Sequence, residues 1–185
     1  MPPPKAKMSS STPDIDTDIP ALFKPGRHTA AVITVSDSCS RGEKEDLSGP
    51  AVVQTLELHS FRIVHTSVIA DDKSTIQSKL IELCATSRLV ITTGGTGIAP
   101  RDVTPEATIA VCDRLVEGIA EQMRLAGRSK TRFSALSRAV CGVRGTSLIV
   151  NLPGSPSGAV ESLDAVIEIL PHALELIAGH TQHKH

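Results

Sequence analysis

From position 94 the chain reads GGTGIAPRDVTPEAT, three glycines in four positions followed by an Arg-Asp pair and a Thr-Pro-Glu. Gly94, Gly95 and Gly97 can expose a nest of bare amides, Thr96 adds a hydroxyl donor, and Thr104 before Pro105 is a strong helix start. That combination suits a phosphate or another compact anion at a helix N-terminus. Asp102 is the odd member, because a carboxylate beside a phosphate is repelled unless a cation intervenes. Mg²⁺ is the natural one, since it takes oxygen ligands from one or two carboxylates and from substrate phosphates. Arg101 could meet negative charge developing on a phosphoryl group. A second reading stands beside this one: a tight turn in which Asp102 pairs with Arg101 or satisfies loop amides. Asp71 and Asp72 carry the same ambiguity, since either could cap the helix that follows.

The elements that must hold these residues follow from hydrophobic periodicity. TAAVITVS (29–36) is a short β-branched run, and SGPAVVQTLELHS (48–60) opens on a Ser cap with apolar residues at helical spacing. FRIVHTSVIA alternates as a strand, DDKSTIQSKLIELCATS reads as a capped amphipathic helix, and RLVITT as a buried strand. Helical stretches follow at about 105–113 and 117–127. SRAVCGVRGTSLIVNLPG then predicts a hairpin around VRGT, and SPSGAVESLDAVIEILPHALELIAG a last helical layer bent or broken at Pro171. Strands alternating with helices imply a three-layer α/β/α sandwich whose mostly parallel sheet carries one antiparallel strand.

In such sheets ligands gather outside the carboxyl ends of the parallel strands. The loops expected there are SDSCSRGEKEDLSGP, ADDKS, GGTGIAPRDVTPE and NLPGSPSG. No G-x-x-x-x-G-K-[ST] occurs, and GGTG lacks the G-x-G-x-x-G order, so neither a P-loop nor a dinucleotide fingerprint is present. Cys39 is the one cysteine in a candidate loop and has no nearby His to deprotonate it.

Composition narrows the partners. A net charge of −1 gives no long-range field toward nucleic acid or an anionic membrane. With three Phe and no Trp or Tyr, the stacking platforms of single-strand nucleic-acid binders cannot be built. Four scattered cysteines without a C-x-x-C pair point to reduced thiols in the cytoplasm, and no apolar run approaches the ~18 residues of a membrane span. Residues 1–28 hold six of the twelve prolines and no sustained period, which predicts a disordered arm. The domain is expected over 29–179. Residues 180–185 form a polar tail whose His residues could bind metal or simply end the chain.

The strings VSDSCSRGEKEDLSGP, TTGGTGIAPRDVTPEAT and LSRAVCGVRGTSLIVNLPGSP resemble, in order and spacing, the molybdopterin-binding family: bacterial molybdopterin adenylyltransferases and equivalent domains of plant and animal proteins, gephyrin among them. The resemblance runs from about residue 30 to 178. It implies transfer of AMP from Mg-ATP to the terminal phosphate of molybdopterin, with release of pyrophosphate, in molybdenum cofactor biosynthesis. By resemblance, Asp102 and Asp71 are the carboxylates for Mg²⁺ and the reacting phosphates. Ser36, Asp37, Gly94, Gly95, Thr96, Gly97, Arg101, Pro153, Gly154 and Ser155 make the nucleotide and pterin-phosphate cradle, with Asp37 readable also as a turn residue. Ser48, Ser137 and Arg138 match recurrent family positions. The second-strand loop has Ala where relatives often have Pro before the Asp. The resemblance further implies a homotrimer or hexamer and a molybdenum insertase as partner. Its alternative outcome is a non-catalytic molybdopterin carrier or scaffold of the same fold.

Overall fold

The computed structural model describes residues 28–179. The expected arm and tail lie outside the described residues, except for His28, which is buried and whose carbonyl accepts from the Arg62 N–H at 2.9 Å.

The strands are β1 (Thr29–Val35), β2 (Arg62–Ile69), β3 (Leu89–Thr93), β4 (Arg114–Leu115), β5 (Cys141–Arg144) and β6 (Ser147–Leu152). The helices are α1 (Asp37–Ser40), α2 (Ser48–Leu58), α3 (Lys73–Cys84), α4 (Thr104–Val111), α5 (Glu117–Arg128), α6 (Pro156–Asp164) and α7 (Leu170–Ile177), with a 3₁₀ turn at Arg132–Leu136. The sheet order is β2-β1-β3-β6-β5-β4. Strands β2, β1, β3 and β6 are parallel. β5 runs against them through a hairpin turning at Gly145 (φ +55°). The two-residue β4 pairs antiparallel with β5 and so runs with the majority. β4 lies outside the expected elements because two exposed residues carry no period; it begins just after Cys112 ends α4 in an extended conformation.

The three layers have a simple physical origin. β3 and β6 are buried along their whole length, which is why each carries a run of consecutive apolar residues, Leu89–Ile91 and Leu148–Val150, instead of an alternation. β2 is an edge strand and alternates, with Arg62, Val64, Thr66 and Val68 exposed. Odd and even positions of β1 feed opposite cores. Ala30 and Val32 pack with Leu56 of α2, Met123 of α5, Leu163 of α6 and Leu174 of α7. Ala31, Ile33 and Val35 pack with Ile76 and Leu80 of α3 and Val111 of α4. Each such Leu or Ile contributes about 1.5–3 kcal/mol by leaving water. The final helical layer breaks before Pro171, which occupies the first turn of α7, where its missing N–H costs nothing.

Candidate active site

The chain leaves β1 for β2 on one side, and from β3 proceeds to β6 on the other, so β1 and β3 flank the point where connection direction reverses. A crevice opens there for topological reasons. It holds about 500 Å³ and is lined by the end of β1 (Thr34, Val35) with Ser36 after it and the end of β3 (Thr93) with Gly94 and Gly95 after it, together with Asp46, Ser48, Asp71, Asp102 and Gly154.

Asp71 and Asp72 divide the two roles that were open between them. Asp72 is the cap of α3: its Oδ1 accepts from Thr75 N at 2.8 Å, Thr75 Oγ1 at 2.7 Å and Ser74 Oγ at 2.7 Å. The Ser74 and Thr75 donors hold its carboxyl down at about 2. Asp71 is left to face the crevice. Its Oδ2 accepts from Asp37 N at 2.8 Å, while Asp37 Oδ1 accepts from Asp71 N at 3.0 Å, a reciprocal pair joining the first two loops. Burial is the main force pushing the Asp71 carboxyl above the ordinary carboxylate value, with the nearby Asp37 and Asp102 charges adding to it.

Arg101 pairs with Asp37 rather than Asp102: Nε and Nη2 donate to Asp37 Oδ2 at 3.0 and 2.7 Å. The bond to Arg101 holds the Asp37 carboxyl below its usual value. Asp102 is therefore outside any ion pair among the described residues, and its Oδ2 accepts only from Ala99 N, at 2.7 Å.

Glycine makes room for both carboxylates. A Cβ on Gly95 would stand 3.2 Å from Asp71 Oδ1 and 2.2 Å from Thr104 Oγ1, and one on Gly97 would stand 2.8 Å from Asp102 Oδ2. Thr104 is fully buried, its hydroxyl without a hydrogen-bond partner among the described residues, and Val103 rather than Thr104 is the cap position of α4. Arg138 locks this loop from behind. Its guanidinium donates to Gly97 O at 2.7 Å, to Asp102 O at 2.5 Å and to Glu106 Oε1, while its backbone N–H donates to Thr96 O. Asp71 and Asp102, both outside any ion pair among the described residues, line one crevice and could serve as oxygen ligands for a hard divalent cation, which takes its other ligands from water or phosphate. No cluster of three or more His, Cys, Asp or Glu arranged for a metal occurs among the described residues.

Residues 31–172 match the family described as "Probable molybdopterin binding domain". The chain belongs to that family. Among the relatives, a molybdopterin adenylyltransferase of Helicobacter pylori strain J99 is 41% identical over 152 residues, covering 80% of this chain and 86% of that protein. The Escherichia coli K12 molybdopterin adenylyltransferase is 40% identical over 164 residues, covering 80% and 84%. The crystal structure of the molybdopterin biosynthesis enzyme MoaB from Thermus thermophilus superposes with a TM-score of 0.78 at 47% identity, covering 82% of this chain and 97% of that one.

Within this member of the family, the residues singled out from sequence fall into three places. Ser36, Ser48, Asp71, Gly94, Gly95, Asp102 and Gly154 line the acidic crevice. Thr96, Gly97, Ser137, Pro153, Gly154 and Ser155 line a neighbouring cavity of about 350 Å³. Asp37, Arg101 and Arg138 line neither and act as ties between loops. Ser48 is not the helix cap that the sequence suggested. Leu47 holds the cap position and has no side-chain cap bond; the Asp46 carboxylate before it accepts from Ser48 N, Ser48 Oγ and Gly49 N through Oδ1 and from Thr34 Oγ1 through Oδ2. The Ser48 hydroxyl instead meets Thr93 Oγ1 at 2.8 Å. Asp46 and the crevice-lining Lys44 were missed, although both stand in the first candidate loop, because that stretch is crowded with charged residues and has no period to rank them. Burial drives the Cys112 thiol to about 11 and the Cys141 thiol to about 12, which keeps both protonated.

Proposed function

We propose that this chain is a molybdopterin adenylyltransferase of molybdenum cofactor biosynthesis, using Mg-ATP. The observation that carries the reading is that Asp71 and Asp102, from different loops, face one crevice with neither carboxylate taken up by an ion pair.

Both reactants are polyanions, and the barrier to joining them is chiefly repulsion and misalignment rather than difficult bond chemistry. An oxygen of the terminal phosphate of molybdopterin attacks the α-phosphorus of ATP; that P–O bond forms as the α–β P–O bond breaks, and pyrophosphate leaves. Asp71 and Asp102 are the residues that would hold Mg²⁺, whose contribution when bound is to neutralise the facing phosphates. The raised affinity of Asp71 for a proton marks a site where a carboxylate charge is unfavourable alone and gains from a cation. The amides of Gly95, Thr96 and Gly97 receive phosphate oxygens, while the Gly94 N–H, which the sequence had counted with them, donates to Leu152 O at 3.1 Å, and Lys44 adds a positive charge at the crevice wall. Asp37 and Arg138 hold the two acidic loops in register, so their work is geometric. No side-chain nucleophile is required.

The family resemblance also supports a homotrimer or hexamer working with a molybdenum insertase in the cytoplasm. No described helix is long and apolar enough to cross a membrane. Light scattering on the full chain gives the assembly directly. The reaction itself is tested by mixing purified protein with molybdopterin, ATP and Mg²⁺ and measuring pyrophosphate. Wild type releases it, and Asp102→Ala falls at least about 100-fold while still binding pterin. Pterin binding without turnover in wild type would instead make the chain a carrier.

A further inference from the structure

The cavity next to the acidic crevice shares Gly154 with it, and its Thr96 and Gly97 continue the same turn that supplies Gly94 and Gly95. Its floor is apolar and buried, from Ala120, Met123 and Ala139. Polar groups of Ser137, Arg124 and Glu161 stand around that floor. At the rim is Phe133, with 64% of its surface in water. This chain has only three aromatic residues, all Phe, and Phe61 is buried in the core. Exposing one of so few at the mouth of a cavity forgoes the gain of burial unless a ligand completes it. The Arg132 guanidinium lies 5.3 Å from the Phe133 ring centroid, so a cation covers one π face and leaves the other for a flat partner.

We propose that Phe133 stacks on the flat nitrogen heterocycle of a reactant seated in this second cavity, while the phosphate of the same molecule passes Gly154 into the acidic crevice. The proposal rests on the adenylyl-transfer reading and adds to it a positioning residue for binding. The ligand chemistry is a planar heteroaromatic ring with donors and acceptors at its edge and a phosphate attached. Apolar floor, polar wall and ring at the mouth each match one part of that description. Adenine and pterin both have this chemistry, so the experiment separates them.

Phe133→Ala and Phe133→Leu are compared with wild type by equilibrium dialysis against AMP and, separately, molybdopterin. Stacking contributes about 1–3 kcal/mol per base, so Phe133→Ala weakens one ligand roughly 5- to 150-fold and leaves the other within about twofold. Phe133→Leu restores apolar area without a π face and recovers little of the loss. Because the side chain is exposed, the thermal midpoint of both variants stays near that of wild type. A Phe133→Trp variant carries the only tryptophan in the chain, and its emission is quenched by the ligand that stacks and not by the other. Unchanged affinity for both ligands in Phe133→Ala, or tryptophan emission indifferent to both, would overturn the proposal while leaving adenylyl transfer standing. Failure of wild type to bind either ligand would overturn the transferase reading instead.

Discussion

Gly94→Ala is a perturbation whose size can be worked out from the structure. Gly94 has φ +96°, and a Cβ there would stand 2.2 Å from the carbonyl oxygen of Val35. Two costs are therefore superposed. The positive φ alone costs an L residue about 1–2 kcal/mol. Carbon normally keeps about 3.3 Å from a carbonyl oxygen, so the ends of β1 and β3 must also part by about 1 Å. Such forced separation in a packed interior adds about 1–3 kcal/mol. Gly145 isolates the first cost, because its φ is +55° and a Cβ there meets nothing within 4 Å. Gly145→Ala should thus lower stability by about 1–2 kcal/mol, and Gly94→Ala by about 2–5 kcal/mol. At about 2–4 °C per kcal/mol for a domain of this size, the melting temperature of Gly94→Ala falls roughly twice as far. Pyrophosphate release separates the two more sharply. The displaced strand ends carry the crevice, and a shift near 1 Å at a reacting centre costs on the order of 100-fold, so Gly94→Ala is nearly inactive below its melting temperature while Gly145→Ala is not. Equal losses of stability and activity in both variants would refute the close-approach argument for Gly94.

Two further outcomes follow from particular side chains. Burial raises the folded-state pKa of Asp71 above its unfolded value near ~3.9, so ionising it costs stability, a cost absent below that pH and growing as pH rises through the folded value. In urea titrations Asp71→Asn should therefore be more stable than wild type at pH 7, with the two converging below about pH 4; a wild type more stable at pH 7 contradicts the sign. Asn151 is fully buried and its Nδ2 donates to Thr92 Oγ1 at 3.0 Å and Thr108 Oγ1 at 2.9 Å, so Asn151→Leu strands two acceptors and should cost about 2–4 kcal/mol in the same assay. A loss below about 1 kcal/mol would mean the two hydroxyls find other partners.

The layers were legible in the sequence because the signal that makes them is periodic. β3 and β6 are buried along their whole length and announce it in compact apolar runs, while the edge strand β2 alternates between exposed and half-buried positions without a clean apolar face. That glycines and acids gather at the crevice was legible too, since a turn that must pass under a carboxylate can use little else. Their division of labour was not. Asp71 and Asp72 are adjacent and alike, and only the direction in which α3 leaves decides which carboxylate caps it. Arg101 sits beside Asp102 in the chain yet pairs across two loops with Asp37, a contact fixed by tertiary geometry. Ser48 looked like a cap by type, but the helix starts one position earlier than that requires, and Asp46 takes the Ser48 and Gly49 amides with a charged acceptor. Likewise β4 has its existence from pairing with β5 and no pattern of its own.

The claim on which the account turns is that Asp71 and Asp102 serve one ion jointly. Pyrophosphate release by wild type, Asp71→Asn, Asp102→Asn and the double variant at saturating Mg²⁺ measures this as a coupling. Shared service predicts that the double variant is no slower than the worse single one. Losses that multiply would show two carboxylates acting independently and contradict the account.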